Sequence, residues 1–219
     1  DVVIHTAAIS DIGTCQKDPQ SSYFANVQIP LYLAAACKDR KLICFSSDQV
    51  YSACKEEGPY IEEVVKPGNI YAEHKLEMEE RVLELVPSAV MLRAEWMYDY
   101  VSPKPNYFLN VLHASQQVSF SSRQFRGITY LKEGVENMDH VMTLPGGAYN
   151  FGSETTQSMY EITEQFLQLL GKDVQLQDAL PRHNLWMNCE KARKYGVEFS
   201  DASDGLKRCL NDYKTTIKQ

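Results

Sequence analysis

The chain lacks a run of basic residues, a paired-cysteine motif and an apolar stretch long enough to span a membrane. Its 22 Lys and Arg are scattered and its net charge is -7, so we expect no nucleic-acid partner. Because its longest apolar stretches are broken by Arg, Lys or Pro, we expect no membrane-spanning segment. The 219 residues suffice for one domain with a proper core, or for one with a small appendage.

The six cysteines form no CxxC pair and do not cluster with histidines. This spacing predicts neither a zinc site nor a redox motif, and we expect no metal site elsewhere. Reduced thiols in a cytoplasmic protein are the simpler interpretation.

Glycine-rich phosphate-binding loops are also missing, since none of the 11 glycines lies in a GxxGxxG or GxGxxG pattern. The chain opens on "DVVIHTAA", which is typical of the interior of a fold. We therefore expect the native protein to begin upstream of Asp1.

Short apolar runs alternate with amphipathic stretches in the first hundred residues. The pattern predicts strands over 2–5, 41–47 and 88–93, and helices over 22–38 and from 69 to Pro87. Strands alternating with helices at this spacing predict an α/β fold with a doubly wound parallel sheet. Such sheets bind ligands at the carboxyl ends of their strands.

The pattern loosens after residue 98, which predicts a smaller mixed α/β region packed at one end of the sheet. Here we expect a strand over 147–153 and helices over 106–115, 130–142, 158–171, 188–196 and 204–213. Ser158 and Glu161 form a capping box, and Gly171 ends that helix.

Tyrosine and lysine occur four residues apart at Tyr51/Lys55, Tyr71/Lys75 and Tyr100/Lys104. Chance alone supplies about one such pair in a chain of this composition, and an isolated pair is usually a surface aromatic beside a solvated charge. Only Tyr71 and Lys75 begin a convincing helix, on which residues four apart share a face.

The Tyr71/Lys75 pair has a chemical use. An ammonium near a phenol favours the phenolate, so we expect Lys75 to lower the pKa of Tyr71 and make it a general acid or base. Ser47, at the end of a neighbouring strand, is placed to hydrogen-bond the same substrate oxygen. Together these groups suit carbonyl–alcohol interconversion, in which oxygen receives a proton and carbon a hydride.

Several segments carry a family resemblance, chiefly "VVIHTAA" (2–8), "FSSDQVY" (45–51), "NIYAEHKLEMEE" (69–80) and "LRAEWMY" (92–98). The chain resembles the extended short-chain dehydrogenase/reductases, in particular the dTDP-4-dehydrorhamnose reductase branch of dTDP-rhamnose biosynthesis. The segment "QFRGITY" (124–130) is more weakly similar to the family, and "PRHN" (181–184) approximates the Arg-Pro signature of this branch.

The resemblance implies roles for individual residues. Ser47, Tyr71 and Lys75 stand at the catalytic positions, where the lysine also holds the nicotinamide ribose of NADPH or NADH. Ala7 and Ala8 match the end of the strand along which the cofactor lies in the family. Asp48, Gln49 and Trp96 match positions near a nucleotide-sugar substrate, although a core tryptophan is as good an interpretation of Trp96.

The family organisation implies that residues 1–98 are the C-terminal part of an NAD(P)-binding Rossmann domain. Residues 99–219 are then mainly substrate-binding, with 130–153 returning to the Rossmann sheet. The glycine-rich loop of the family would lie before residue 1, within about 60 residues of additional chain. A homodimer is common in this family.

Some positions depart from the family pattern. Gln49 replaces the glutamate of related dehydratases and cannot exchange a proton as that residue does, so dehydration is disfavoured. The segment "ISDIGTCQ" (9–16) replaces an acidic loop. The resemblance favours reduction of a 4-keto nucleotide sugar and leaves two alternatives: a non-catalytic NAD(P)-binding regulatory module and a nucleotide-sugar 4-epimerase.

Overall fold

The computed structural model describes residues 1–180 and 184–217, so Pro181, Arg182 and His183 of the "PRHN" segment lie outside the described residues. The strands are β1 (Val2–His5), β2 (Lys41–Ser47), β3 (Val90–Ala94), β4 (Trp96–Tyr98), β5 (Gln117–Phe120), β6 (Ile128–Tyr130), β7 (Gly147–Phe151) and β8 (Gln175–Asp178). The helices are α1 (Ile12–Lys17), α2 (Pro19–Tyr23), α3 (Ile29–Ala36), α4 (Ile70–Leu85), α5 (Tyr107–His113), α6 (Leu131–Glu136), α7 (Met138–Thr143), α8 (Met159–Leu170), α9 (Glu190–Arg193) and α10 (Ala202–Thr216).

The largest sheet has four parallel strands in the order β1, β2, β3, β7. Its register pairs Ser47 with Ala94 and Ala94 with Phe151, so three strands reach the same edge together. The predicted α/β fold with a parallel sheet is confirmed.

Both faces of this sheet are covered, as the alternating side chains of β2 require. Leu42 and Cys44 pack with residues of α3 and α4 in one core cluster. Ile43 and Phe45 point to the other face, which packs with residues of α7 and α9. Burial on both faces explains why β2 is a continuous apolar run.

The predicted helix over 22–38 is interrupted near Pro30. A π-helical turn occupies Phe24–Gln28, and the Ile29 amide donates to the carbonyl of Phe24, five residues earlier. Proline has no amide proton to continue the usual ladder, so the helix widens just before it. Asn26, in this turn, exchanges hydrogen bonds of 3.1 and 2.9 Å with the backbone of Ile9 and so ties the loop after β1 to the helix.

The "ISDIGTCQ" segment, which replaces the acidic loop of the family, contains the start of α1. The Asp11 carboxylate accepts a 2.7 Å hydrogen bond from the Thr14 amide and caps the helix. This acidic cap explains the start of a helix that has only six residues and a glycine in its first turn.

The smaller region contains two further parallel strand pairs, β4 with β6 and β5 with β8. They pack with α5, α8 and α10 around an aromatic core that includes Tyr98, Phe108 and Phe166. These strands were not predicted, because segments of three or four residues are too short to reveal alternation. The predicted helix over 130–142 is divided at Asn137 into α6 and α7.

A buried ion pair fixes α4 against the sheet. The Arg93 guanidinium, on β3, donates to both carboxylate oxygens of Glu79 at 2.7 to 3.1 Å. It also donates to the Tyr51 hydroxyl at 2.9 Å and to the Glu62 carbonyl. Because Glu79 lies one turn after Lys75, the same contacts set the position of the Tyr71/Lys75 face.

We expect Glu79→Ala to lower the free energy of unfolding by about 3–5 kcal/mol, because it leaves the buried Arg93 charge without its partner. Urea unfolding followed by circular dichroism measures the change. Glu80→Ala, at the next and exposed position of α4, is the matched control and should change stability little. Equal effects of the two substitutions would show that the ion pair does not hold the helix.

Candidate active site

A cleft of about 560 Å³ opens where β2 and β3 end, between the sheet edge and the start of α5. It is lined by Ser10, Ile12, Ser46, Ser47, Asp48, Gln49, Tyr71, Ala94, Glu95, Trp96, Met97, Pro105, Asn106, Tyr107, Asn110 and Phe120. The carboxyl end of a parallel sheet is the expected position for a ligand.

Ser47 is the last residue of β2, and its side chain is almost buried in the wall of the cleft. Its hydroxyl accepts a 3.2 Å hydrogen bond from the Gln49 amide and donates a 3.1 Å hydrogen bond to the Asp48 carboxylate. These contacts fix the orientation of the hydroxyl beside the cleft.

Tyr71 lies in the first turn of α4, which begins after Asn69 caps the Ala72 amide at 2.9 Å. Its ring is buried and lines the cleft together with Ser47. Burial raises the pKa of Tyr71 to about 12, although the Ser47 side chain acts in the opposite direction. The residue is therefore a neutral phenol over the physiological pH range.

Lys75 lies one helical turn after Tyr71 and is 2% exposed. Its ammonium donates a 2.7 Å hydrogen bond to the Phe45 carbonyl and lies 6.0 Å from the centre of the Tyr71 ring. Burial lowers the pKa of Lys75 to about 8. The expected lowering of the Tyr71 pKa by this ammonium is wrong for the structure described, because burial of the phenol dominates.

Asp48 and Gln49 follow Ser47 in a buried 3₁₀ turn and also line the cleft. Asp48 forms a buried ion pair with Arg126. The Gln49 side-chain carbonyl accepts a 3.3 Å hydrogen bond from Asn69. The structure thus brings these two predicted residues into the same wall as Ser47.

Trp96 also lines the cleft, and 45% of its surface is exposed. This exposure excludes the alternative interpretation of Trp96 as a core tryptophan. Its indole ring stacks on the Arg126 guanidinium, whose carbon lies 3.9 Å from the ring centre. Trp96 therefore presents an aromatic surface to the cleft while a buried cation supports it.

Ala7 and Ala8 are exposed in the loop after β1, and neither lines the cleft. They lie nevertheless at the carboxyl end of the same sheet, next to the strand that holds Ser47. The buried His5, which ends β1, has no hydrogen-bond partner for its Nε2 among the described residues.

Two buried ionisable residues at the cleft, Glu95 in its lining and Arg126 behind it, were not predicted from the sequence. Burial raises the pKa of Glu95 to about 8, and its Oε1 accepts hydrogen bonds from Thr129 at 2.6 Å and Ser153 at 2.9 Å. Gly127 leaves room for this carboxyl, since a Cβ there would lie 2.3 Å from Glu95 Oε2. An acidic residue directly after a buried strand was the available signal for Glu95.

In residues 1–180 and 184–217, no group of three or more His, Cys, Asp or Glu is arranged to hold a metal ion. The helices of these two segments include none that is long and apolar enough to cross a membrane.

A model of the RmlD substrate binding domain family matches residues 1–214. The dTDP-4-dehydrorhamnose reductase of Mycolicibacterium smegmatis is 36% identical over 101 residues, which are 45% of this chain and 31% of that protein. The spore coat polysaccharide biosynthesis protein SpsK of Bacillus subtilis is 24% identical over 176 residues, which are 78% of this chain and 62% of that protein. The chain therefore spans less than two thirds of the length of these curated relatives.

Solved structures share the fold. The dTDP-4-dehydrorhamnose reductase of Bacillus anthracis, solved in complex with NADP, superposes with a TM-score of 0.84 at 20% identity, over 96% of this chain and 79% of that one. A UDP-N-acetylglucosamine 4-epimerase of Methanobrevibacter ruminantium has a TM-score of 0.82 at 20% identity, over 99% and 77% of the two chains. The predicted resemblance is confirmed, and the chain belongs to the RmlD substrate-binding domain family.

Proposed function

We propose that this protein is an NAD(P)H-dependent reductase of a 4-keto nucleotide sugar, similar to dTDP-4-dehydrorhamnose reductase. The observation that carries the proposal is that Tyr71 and Ser47 line the same cleft at the carboxyl end of the sheet. A carbonyl reduction needs a proton donor at this point, and the Tyr71 hydroxyl can supply the proton, although burial raises its pKa to about 12 and makes it a weaker acid than a free tyrosine.

Each of the three catalytic residues has a separate task in this proposal. Ser47 hydrogen-bonds the substrate carbonyl and orients it, and Tyr71 transfers its hydroxyl proton to the carbonyl oxygen. Lys75 stabilises the phenolate that Tyr71 becomes, and solvent then returns the proton. The reduced nicotinamide supplies, when bound, the hydride that completes the alcohol at the carbonyl carbon.

The residues around Lys75 fit a nicotinamide cofactor, NADPH or NADH. Lys75 donates one hydrogen bond to the Phe45 carbonyl and has two further N–H donors, which would serve a ribose hydroxyl, although Lys75 is 2% exposed and lies behind the residues that line the cleft. Ala7 and Ala8 are exposed after the end of β1. Their small side chains would let the cofactor lie close to this strand end. The similar Bacillus anthracis structure, solved with NADP, supports this class of cofactor.

Three further lining residues of the cleft suit the nucleotide sugar. Trp96 offers an apolar face to a sugar ring, and Asp48 and Gln49 line the wall near its hydroxyls. Gln49 has no proton to exchange, so the same cleft is unsuited to dehydration. A 4-epimerase would begin by removing a proton from the sugar hydroxyl, and it differs from a reductase in consuming no cofactor overall.

We also propose the organisation that the family implies: a Rossmann part over 1–98 and a mainly substrate-binding part over 99–219, with 130–153 returning to the sheet. The pairing of β7 with β3 in the four-stranded sheet supports this return. The boundary at residue 98 is not sharp, because β4 (Trp96–Tyr98) pairs with β6 of the second part.

The free thiols of the six cysteines support the cytoplasm as the compartment. We propose a homodimer by analogy with the family.

The test is to titrate the purified protein with NADPH and NADH and then add a panel of 4-keto nucleotide sugars, following nicotinamide absorbance. We expect cofactor oxidation in proportion to sugar alcohol formed. Cofactor binding without oxidation on any sugar would favour the regulatory module. Isomerisation of a nucleotide sugar with no net cofactor consumption would favour the epimerase.

A further inference from the structure

We propose that Arg126 is a positioning residue that couples the aromatic wall of the cleft to the hydroxyl that orients the substrate. The inference deepens the proposed function and rests on it for its kinetic part. Arg126 does not line the cleft; it lies behind the cleft wall and is 1% exposed. Its effect on a ligand therefore passes through cleft-lining residues beside it, chiefly Trp96, on which it stacks, and Asp48, with which it forms an ion pair.

The contact with Trp96 is a stacked cation–π pair. The guanidinium carbon lies 3.9 Å from the centre of the indole ring, well inside the distance at which such pairs are attractive. Trp96 begins β4, whose partner strand β6 starts two residues after Arg126. A short, three-residue strand pair gives the indole little other support, and half-exposed Trp96 would lose this contact if its ring turned away.

The contact with Asp48 is a buried ion pair. Arg126 Nη2 bonds Asp48 Oδ2, and the two side chains are only 2% and 3% exposed. The other carboxylate oxygen of Asp48 accepts the Ser47 hydroxyl at 3.1 Å. One carboxylate thus connects the guanidinium to the candidate catalytic hydroxyl.

These contacts define the orientation of the guanidinium. Its Nε has no hydrogen-bond partner among the described residues, whereas the stack on Trp96 and the ion pair with Asp48 both orient the head, which also lies in the field of the Glu95 carboxyl. The planar guanidinium of an arginine can stack on an aromatic ring and form an ion pair with a carboxylate at the same time, whereas the ammonium of a lysine cannot stack in this way. Arg126 thereby fixes the distance between the aromatic wall and Ser47.

The coupling predicts that Arg126→Lys keeps the ion pair but loses the stack. We expect the Kd for dTDP-glucose, a nucleotide sugar without a keto group, to rise by up to about thirtyfold, the limit reached if the whole free energy of the cation–π contact is needed to hold the indole in place. The indole should also become more accessible to acrylamide, with a red-shifted emission. Asp48→Asn should instead lower kcat more than it raises the KM for the keto sugar, because it disturbs Ser47.

The fluorescence is measured in the Trp186→Phe background, where Trp96 is the remaining tryptophan of the two in the chain. Arg123→Lys, at an exposed position three residues earlier, is the matched control and should leave both binding and quenching unchanged. If Arg126→Lys does not fold, the double variant Arg126→Gln with Asp48→Asn removes the stack without leaving a buried charge unpaired, and it should change dTDP-glucose affinity and Trp96 quenching in the same direction.

Unchanged dTDP-glucose affinity and unchanged Trp96 quenching in a folded Arg126 variant would overturn the proposal. So would equal changes in the Arg123 control. The two measurements need no turnover, so they separate this proposal from the reductase. A protein that binds dTDP-glucose through the Arg126-supported wall but oxidises no cofactor would retain the positioning role and contradict the proposed activity.

Discussion

Tyr71→Phe is expected to lower kcat for the keto sugar by about 10²- to 10⁴-fold, the range that a general acid contributes. The substitution removes one oxygen from a buried ring, so packing in the first turn of α4 is preserved. Substrate and cofactor affinities should remain within a small factor of the original, because Ser47, Trp96 and Lys75 keep their contacts. Single-turnover kinetics and equilibrium binding of NADPH measure the two effects separately.

Tyr100→Phe is the matched control, because Tyr100 and Lys104 repeat the same spacing outside the cleft. The hydroxyl of Tyr100 contacts that of Thr216 at 3.2 Å on the surface of the smaller region. Its loss should leave kcat unchanged. Full turnover by the Tyr71 variant would eliminate Tyr71 as the proton donor.

Lys75→Met is expected to lower kcat by about 10²- to 10³-fold, because it removes a preorganised charge from the place where the Tyr71 phenolate develops. It should also weaken cofactor binding, since the ribose loses a donor. Burial places the pKa of Lys75 at about 8, so the ammonium is lost as the pH rises through that value. We therefore expect kcat/KM of the original protein to fall above about pH 8.

The pH profile distinguishes a catalytic role of Lys75 from a structural one. In Lys75→Met the fall near pH 8 should disappear, and the remaining low activity should be independent of pH in this range. Lys104→Met, in the exposed third pair, should keep both the original activity and the original profile. A Lys75→Met protein that retains the same alkaline limb would assign that limb to another group.

Much of the sheet and of the candidate site could be predicted, because both depend on local signals. Apolar runs such as Lys41–Ser47 define strands, and the carboxyl ends of parallel strands meet at one edge. Asn69 before an amphipathic stretch defines the start of α4 and therefore the face on which Tyr71 and Lys75 lie. Ser47 and Tyr71 meet in the cleft for these two reasons.

Other features depend on contacts between distant segments and could not be predicted. Arg126 and Asp48 are 78 residues apart in the sequence, and no local sequence pattern predicts their ion pair. The pKa of Tyr71 follows from how deeply α4 buries the ring, which overrides the expected influence of Lys75. The strand pairs of the smaller region are three or four residues long and depend on tertiary packing.

The most direct test of the central claim is to follow deuterium from the nicotinamide C4 position of labelled NADPH to the sugar. We predict that the purified protein, given dTDP-4-keto-6-deoxy sugar, forms a sugar alcohol with deuterium on the former carbonyl carbon. Tyr71→Phe should suppress this transfer, and Tyr100→Phe should not. A product that carries no deuterium, or equal transfer by the two variants, would contradict a Tyr71-dependent reductase.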